Sequence, residues 1–115
     1  MASRSRAAIY ARRRKRRMAQ VVHDLTDAQW VALVGAWGGC AYCGVMDCQL
    51  QKDCMLPVSR GGRYTFTNVV PACGACNASK CNAEVTVWMR RKKLDERTFL
   101  RRQVEIAEAV ATGER

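Results

Sequence analysis

Nowhere does this chain run apolar for the length of a membrane span, and no apolar run follows its basic start. The first absence excludes a membrane-spanning helix, and the second leaves no expectation of a secretory signal peptide. Acidic residues are missing from positions 1–20, where eight basic side chains stand: Arg4, Arg6, Arg12, Arg13, Arg14, Lys15, Arg16 and Arg17. Histidine is nearly missing as well. His23 is the only one, and it reads as an ordinary surface or cap-region residue ahead of a capped helix. Seven cysteines cannot all pair. With no signal peptide expected, metal-bound or free thiols in a reducing compartment are favoured over a disulfide framework. A length of 115 residues leaves room for one domain with one modest core.

What is present is concentrated in two cysteine pairs. Cys40 and Cys43 stand in G-G-C-A-Y-C-G, and Cys73 and Cys76 in P-A-C-G-A-C-N. A tetrahedral thiolate site takes two sulfurs from each of two tight turns, and a two-residue spacer lets one turn present both. Two redox dithiols, or scattered core cysteines, would give the same letters. Paired knuckles around a compact, Gly-rich segment are much rarer by chance, and they point to a structural Zn²⁺ that would add stability to a small core.

The net charge of +10 is unevenly spread. Besides the arm at 1–20, a second basic cluster holds Arg90, Arg91, Lys92, Lys93, Arg97, Arg101 and Arg102, diluted only by Asp95 and Glu96. A charge run is commonly a solvated face. Two such blocks flanking a zinc core, at a pI near 9.8, favour a nucleic acid bound through phosphate neutralisation and counterion release. An anionic membrane surface fits less well, because the arm has few large apolar residues to insert.

Residues 1–22 read as a basic arm that becomes helical on DNA. Thr26 and Gln29 then form a capping box, with Leu25 and Trp30 at the staple positions. Trp30, Leu33, Val34 and Trp37 give a helical stripe that Gly38-Gly39 ends. Two short strands are expected near Leu50–Leu56 and Asn68–Pro71, joined by a Pro57–Arg63 loop, with a short helix around Cys76–Asn82. The rest, with Val85, Trp88, Met89, Leu100, Val104, Ala107 and Ala111, is helical in period and is expected to pack back on the domain.

The run Lys52-Asp53-Cys54-Met55-Leu56-Pro57-Val58-Ser59-Arg60-Gly61-Gly62, then Thr67-Asn68-Val69-Val70-Pro71-Ala72-Cys73 and Gly74-Ala75-Cys76-Asn77-Ala78-Ser79-Lys80, resembles the HNH endonuclease family in its zinc-stapled bacterial and phage form. The resemblance covers roughly 25–100. It implies an α+β fold: a small ββα-metal (His-Me finger) core stapled by a four-cysteine zinc site, with flanking helices. The corresponding division is an arm at 1–22, an HNH-like domain at 23–100 and a C-terminal helix at 101–115 packed on it. By resemblance, Asp53 and Asn77 are ligands of a catalytic divalent ion (Mg²⁺, Mn²⁺, Ni²⁺ or Zn²⁺), with Cys81 a further candidate one helical turn on. Asn68 orients the loop, and Cys54 stands where the family places its water-activating histidine. The implied partner is DNA, contacted through Arg12, Arg13, Arg14, Lys15, Arg16, Arg17, Arg60, Arg63 and Lys80. The implied setting is the cytoplasm of a bacterium or phage-infected host, with a terminase or other packaging machinery as a further partner and no membrane.

Cys54 is the main departure from the family pattern. An imidazole has a pKa of about 6.5 and a thiol about 8.5, so an unperturbed cysteine is on the order of 30-fold short of base at neutral pH. Losing general-base help outright costs roughly 10²–10⁴-fold. Cys54 therefore reads as a substitute base or soft ligand in a working nuclease, as the mark of an impaired nuclease kept for DNA binding, or as an engineered or incidental change. Cys48, Cys54 and Cys81 gathering a second soft-metal site is a minor alternative, as is a zinc-stapled protein-interaction module.

Overall fold

The computed structural model describes residues 5–19 and 24–113, with the side chains of 14–19 outside the description. His23 lies outside the described residues. The expected capping box forms: Thr26 Oγ1 accepts from Gln29 N at 3.0 Å, and Gln29 Oε1 accepts from Thr26 N at 2.9 Å. It opens α2 (Asp27–Trp37), and Gly38 closes that helix at φ 71°, donating its N–H to Val34 O. Leu33 and Trp37 face the interior, with Trp30 packed beside them.

Strands β1 (Gln51–Cys54) and β2 (Val69–Ala72) pair antiparallel, with Asp53 opposite Val70 and Cys54 opposite Val69. A 3-10 turn (Val58–Arg60) lies between them, and α3 (Gly74–Lys80) follows at once. The order is ββα. Every residue of β2 is buried, so this apolar tetrapeptide is the spine onto which α2 packs. The finger helix begins two residues earlier than its sequence suggests, because Cys73 is itself the N-cap and its sulfur accepts from Cys76 N.

The helical remainder divides in two. Glu84 caps α4 (Val85–Arg91) by accepting from Thr86 N and Val87 N, and Asp95 caps α5 (Glu96–Thr112) by accepting from Thr98 N. Val85, Trp88 and Met89 enter the core as expected. On α5 the inward face differs from the expected stripe. Phe99 and Ile106 are buried, whereas Leu100 is 36% and Val104 51% exposed. Arg102 and Gln103 share the side of α5 that carries Phe99 and Ile106: Arg102, itself exposed, donates through Nη2 to Trp37 O at 2.8 Å, and half-buried Gln103 donates through Nε2 to Thr67 O at 3.0 Å. The Arg102 guanidinium also lies over the Trp37 ring, 5.0 Å from its centroid. Trp37 stacks on Phe99 at 5.5 Å and Tyr42 meets Trp88 edge-on at 5.0 Å, so the core is an aromatic cluster shared by α2, the first knuckle, α4 and α5.

Residues Arg6–Ala19 of the arm form α1. Its Ala, Arg and Lys content favours helix, and Ser5 Oγ accepts from Ala8 N in the first turn. Among the described residues, no helix is long and apolar enough to cross a membrane.

Candidate active site and metal centre

The first knuckle is a turn closed by Gly44 N donating to Cys40 O and Cys40 N to Val45 O, both at 2.9 Å. Gly39 precedes it at φ 152°, where an added Cβ would lie 2.7 Å from Val45 O, so a side chain there would push the turn open. Ala41 N donates to Pro71 O at 2.8 Å and joins this turn to β2, which leads directly into the second knuckle. The sulfurs of Cys40, Cys43, Cys73 and Cys76 thereby lie within 4.8 Å of one another. The Cys43 and Cys73 sulfurs are 3.8 Å apart, close to the separation of about 3.8 Å that a tetrahedral site with Zn–S bonds of about 2.3 Å requires. Burial pushes the Cys40 thiol up, but backbone N–H groups of Cys43, Cys73 and Tyr42 outweigh it and bring the group down to about 7. Such a set can hold a metal ion. Among the described residues it is the one such group of three or more Cys, His, Asp or Glu, so Cys48, Cys54 and Cys81 do not assemble a second soft site.

The other site lies where β1 ends against α3. A cleft of about 420 Å³ is lined by Asp53, Cys54, Asn77 and Cys81, with Tyr10, Lys52, Tyr64 and the 57–59 turn around them. Gln51 and Asp53 share one face of β1 by its two-residue period, and that face looks onto α3. There Asn77 Nδ2 donates to Gln51 Oε1 at 2.6 Å, and Lys80 Nζ stands 3.4 Å from Asp53 Oδ2. Tyr42 OH donates to the same Oδ2 at 2.5 Å. Asp53 is 6% exposed, and burial pushes its carboxyl above the ordinary range despite the Tyr42 hydrogen bond and the Lys80 charge. Burial, then the Asp53 charge, likewise pushes the Cys54 thiol up to about 11.

These contacts leave a definite donor set. Asp53 Oδ2 and Asn77 Nδ2 are committed to protein partners, so Oδ1 of each is the oxygen that these two cleft-lining residues can offer a cation. One carboxylate and one amide oxygen fit a hard divalent cation that keeps several waters. The cysteines nearby are soft donors that add little for Mg²⁺.

Asn68 stands behind this cleft rather than in it. Its Oδ1 accepts from Leu56 N at 3.0 Å, and its Nδ2 donates to Leu56 O and Arg63 O at 2.9 and 2.8 Å. The amide thus stitches both ends of the loop that carries the 3-10 turn. Gly62 sits inside that stitch: an added Cβ would lie 1.7 Å from Leu56 O and 3.0 Å from Asn68 Nδ2. Gly62→Ala should therefore destabilise the fold by about 1–3 kcal/mol, in the range of overpacking mutations. A denaturant midpoint equal to the native one would show that the loop gives way freely.

The expected phosphate contacts fare unevenly. Arg12, Arg13, Arg60 and Arg63 are exposed, although Arg60 Nε already donates to Asn82 O at 2.6 Å. The side chains of Arg14, Lys15, Arg16 and Arg17 lie outside the described residues. Lys80 must be corrected. It is 1% exposed, and its ammonium is turned inward to Asp53 and to Cys54 O at 2.8 Å, so it has no surface to offer a phosphate. In the second basic cluster, Arg90 is paired with Glu96 at 2.8 Å and Arg102 is drawn onto α2, leaving Arg91, Lys92, Lys93, Arg97 and Arg101 toward solvent.

Both knuckles, the two strands, the intervening loop and the finger helix lie in one continuous stretch. Residues 40–88 match the HNH endonuclease family. No curated protein and no solved structure matches the chain. The HNH segment runs from the first cysteine of the metal centre to Trp88 in the core. Among the described residues, it contains every one that lines the cleft except Tyr10, which comes from α1. The match supports a nuclease-type function for this segment, and DNA is the substrate of the family it matches. Within the segment, Tyr42, Gln51 and Tyr64 escaped the sequence reading. Gln51 carried a usable signal, since it is two residues before Asp53 and so on the same strand face.

Proposed function

We propose that this chain is a metal-dependent DNA endonuclease of the HNH type. The observation that carries the reading is the convergence of Asp53, Cys54 and Asn77 on one cleft inside the HNH-matching segment. Cys40, Cys43, Cys73 and Cys76 hold a structural zinc that fixes the finger and takes no part in cleavage. Asp53 Oδ1 and Asn77 Oδ1 hold a divalent ion, with Cys81 at the rim of the same cleft. When bound, that ion supplies charge neutralisation at the scissile phosphate and its leaving oxygen. Water oxygen bonds to phosphorus as the P–O3′ bond breaks, the water gives up a proton to a base and O3′ takes one up from solvent, giving a 5′-phosphate and a 3′-hydroxyl. Cys54 faces the water's proton, and Asn68 holds the loop across from it. Nicking of supercoiled plasmid in the presence of Mg²⁺, Mn²⁺, Co²⁺ or Ni²⁺, lost on chelation, is the test. No cleavage with any of the four would overturn it.

A second reading, a DNA-binding protein with an impaired nuclease site, is favoured by one observation. The Cys54 thiol is pushed up to about 11 by burial, so it is neutral at physiological pH and a poor base. Under either reading DNA is bound through its backbone. The resemblance of the sequence motifs to the family's phage form makes a packaging machinery a further partner to test.

The basic arm sets affinity in both cases. Deleting residues 1–20 removes eight cations, so DNA binding should weaken and the slope of log affinity against log salt should become shallower. Equal affinity and slope for both forms in a fluorescence titration would show the arm to be merely solvated.

A further inference from the structure

Tyr42 is the second spacer residue of the first knuckle, between two cysteines of the metal centre. Its sulfur-bearing neighbours turn toward the other knuckle, whereas its ring turns inward between Trp88 and Phe99, at 5.0 and 5.3 Å. At the end of that buried ring the hydroxyl reaches Asp53, eleven residues on, at 2.5 Å. From the other side Lys80, anchored on Cys54 O, approaches the same carboxylate oxygen. Asp53 is thus clamped at Oδ2 by one group from the knuckle and one from α3.

We propose that Tyr42 is a positioning residue for the cleft's ion-binding carboxylate, holding Asp53 by Oδ2 so that Oδ1 alone is presented to the cleft. This rests on the reading of Asp53 and Asn77 as ligands. A carboxylate on a four-residue strand would otherwise rotate about its side-chain torsions and offer either oxygen, or turn wholly onto Lys80. The phenol removes that freedom. Because Tyr42 lies within the C-x-x-C turn, the same turn that gathers the four sulfurs also sets the carboxylate. The metal centre and the cleft are one mechanical unit. Outer partners that orient a ligand in this way typically change metal affinity about 10–100-fold when removed.

The test compares native protein, Tyr42→Phe and Asn77→Ala, each loaded with one zinc, by titrating Mn²⁺ and reading free Mn²⁺ by electron paramagnetic resonance. Tyr42→Phe keeps the ring between Trp88 and Phe99 and deletes only the hydroxyl. It should retain zinc and DNA affinity, yet bind Mn²⁺ about 10–100-fold more weakly, a change that a purely packing role would not produce. Asn77→Ala should also weaken Mn²⁺ binding, since it deletes a ligand. Native-like Mn²⁺ affinity in Tyr42→Phe, with Asn77→Ala weakened, would overturn the positioning role and leave the ligand reading standing. Equal affinity in all three proteins, or none in any, would overturn the ligand reading and the proposal with it. Should Tyr42→Phe fail to take up zinc, the native chain carrying 3-fluorotyrosine decides. The Tyr42 fluorine signal should shift on adding Mg²⁺ at concentrations that displace Mn²⁺, and an unmoved signal overturns the proposal.

Discussion

Cys73→Ser is expected to yield a chain that neither holds zinc nor folds. Four thiolates on two knuckles form a closed site, and structural zinc of this kind contributes apparent binding energies of about 10–16 kcal/mol near pH 7. The whole stability of a small domain is about 5–15 kcal/mol, so losing much of the first exhausts the second. Cys73 has three roles at once. It is 7% exposed, its sulfur lies 3.8 Å from that of Cys43, and it caps α3 by accepting from Cys76 N. The core it supports is modest, and most of its aromatic members meet near Tyr42, inside the first knuckle. Purified native protein should contain about one zinc per chain by elemental analysis. Circular dichroism should show Cys73→Ser, or native protein stripped by a chelator, unfolded or insoluble. Cys48→Ser is the contrast: Cys48 is exposed and outside the sulfur cluster, and its replacement should stay within about 0.5 kcal/mol of native. A well-folded native sample free of metal would overturn the account.

The features that were legible in the sequence are those fixed over a few residues. The capping box needs only Thr26 and Gln29, and each knuckle needs one turn. The ββα order follows from short apolar runs between turn residues. What was not legible depends on how two elements face each other. A lysine one turn past Asn77 on a basic chain reads as a phosphate contact. It becomes a buried partner of Asp53 only because α3 lies against the inner face of β1. The Tyr42 hydroxyl is invisible for the same reason, since the spacer of a C-x-x-C motif carries no sign of where its ring points. On α5 the periodicity itself misled. Arg102 and Gln103 look solvent-facing by type, yet they donate to the carbonyls of Trp37 and Thr67 from the side of α5 that carries Phe99 and Ile106.

The buried pair also changes how the cleft should be probed. Asp53→Ala looks, from sequence, like a clean deletion of an ion ligand. In the fold it would strand the Lys80 ammonium, 1% exposed, without its carboxylate. Breaking a buried pair from one side costs about 3–5 kcal/mol, so lost cleavage in that variant would report lost stability as much as lost chemistry. Asn77→Ala is the better probe, because Asn77 is only half-buried and its partner Gln51 is at the surface.

Cys54→His should raise cleavage by on the order of 10–10³-fold near neutral pH, within the range of general-base catalysis. The side chain lines the cleft while its carbonyl, not its sulfur, anchors Lys80, so the substitution leaves the buried pair in place. The cleft of about 420 Å³ has room for the larger ring. The thiol, pushed up to about 11 chiefly by burial, is neutral below that value and gains its negative charge only as pH rises toward it. Native activity should therefore climb through the alkaline range, whereas an imidazole with a pKa of about 6.5 is already unprotonated at about pH 7.5 and should level off there. Plasmid nicking by both chains across about pH 6–10, with Mg²⁺, Mn²⁺, Co²⁺ and Ni²⁺, measures the ratio. Asn77→Ala should abolish cleavage in both backgrounds and leave DNA affinity largely intact, because Asn77 serves the ion and the arm serves the phosphates. If Cys54→His is no faster than the native chain with any of these ions, the base does not limit the reaction. Cys54 is then an adapted part of the cleft, or the cleft is a DNA-binding surface alone, and the plasmid assay of the native chain separates the two.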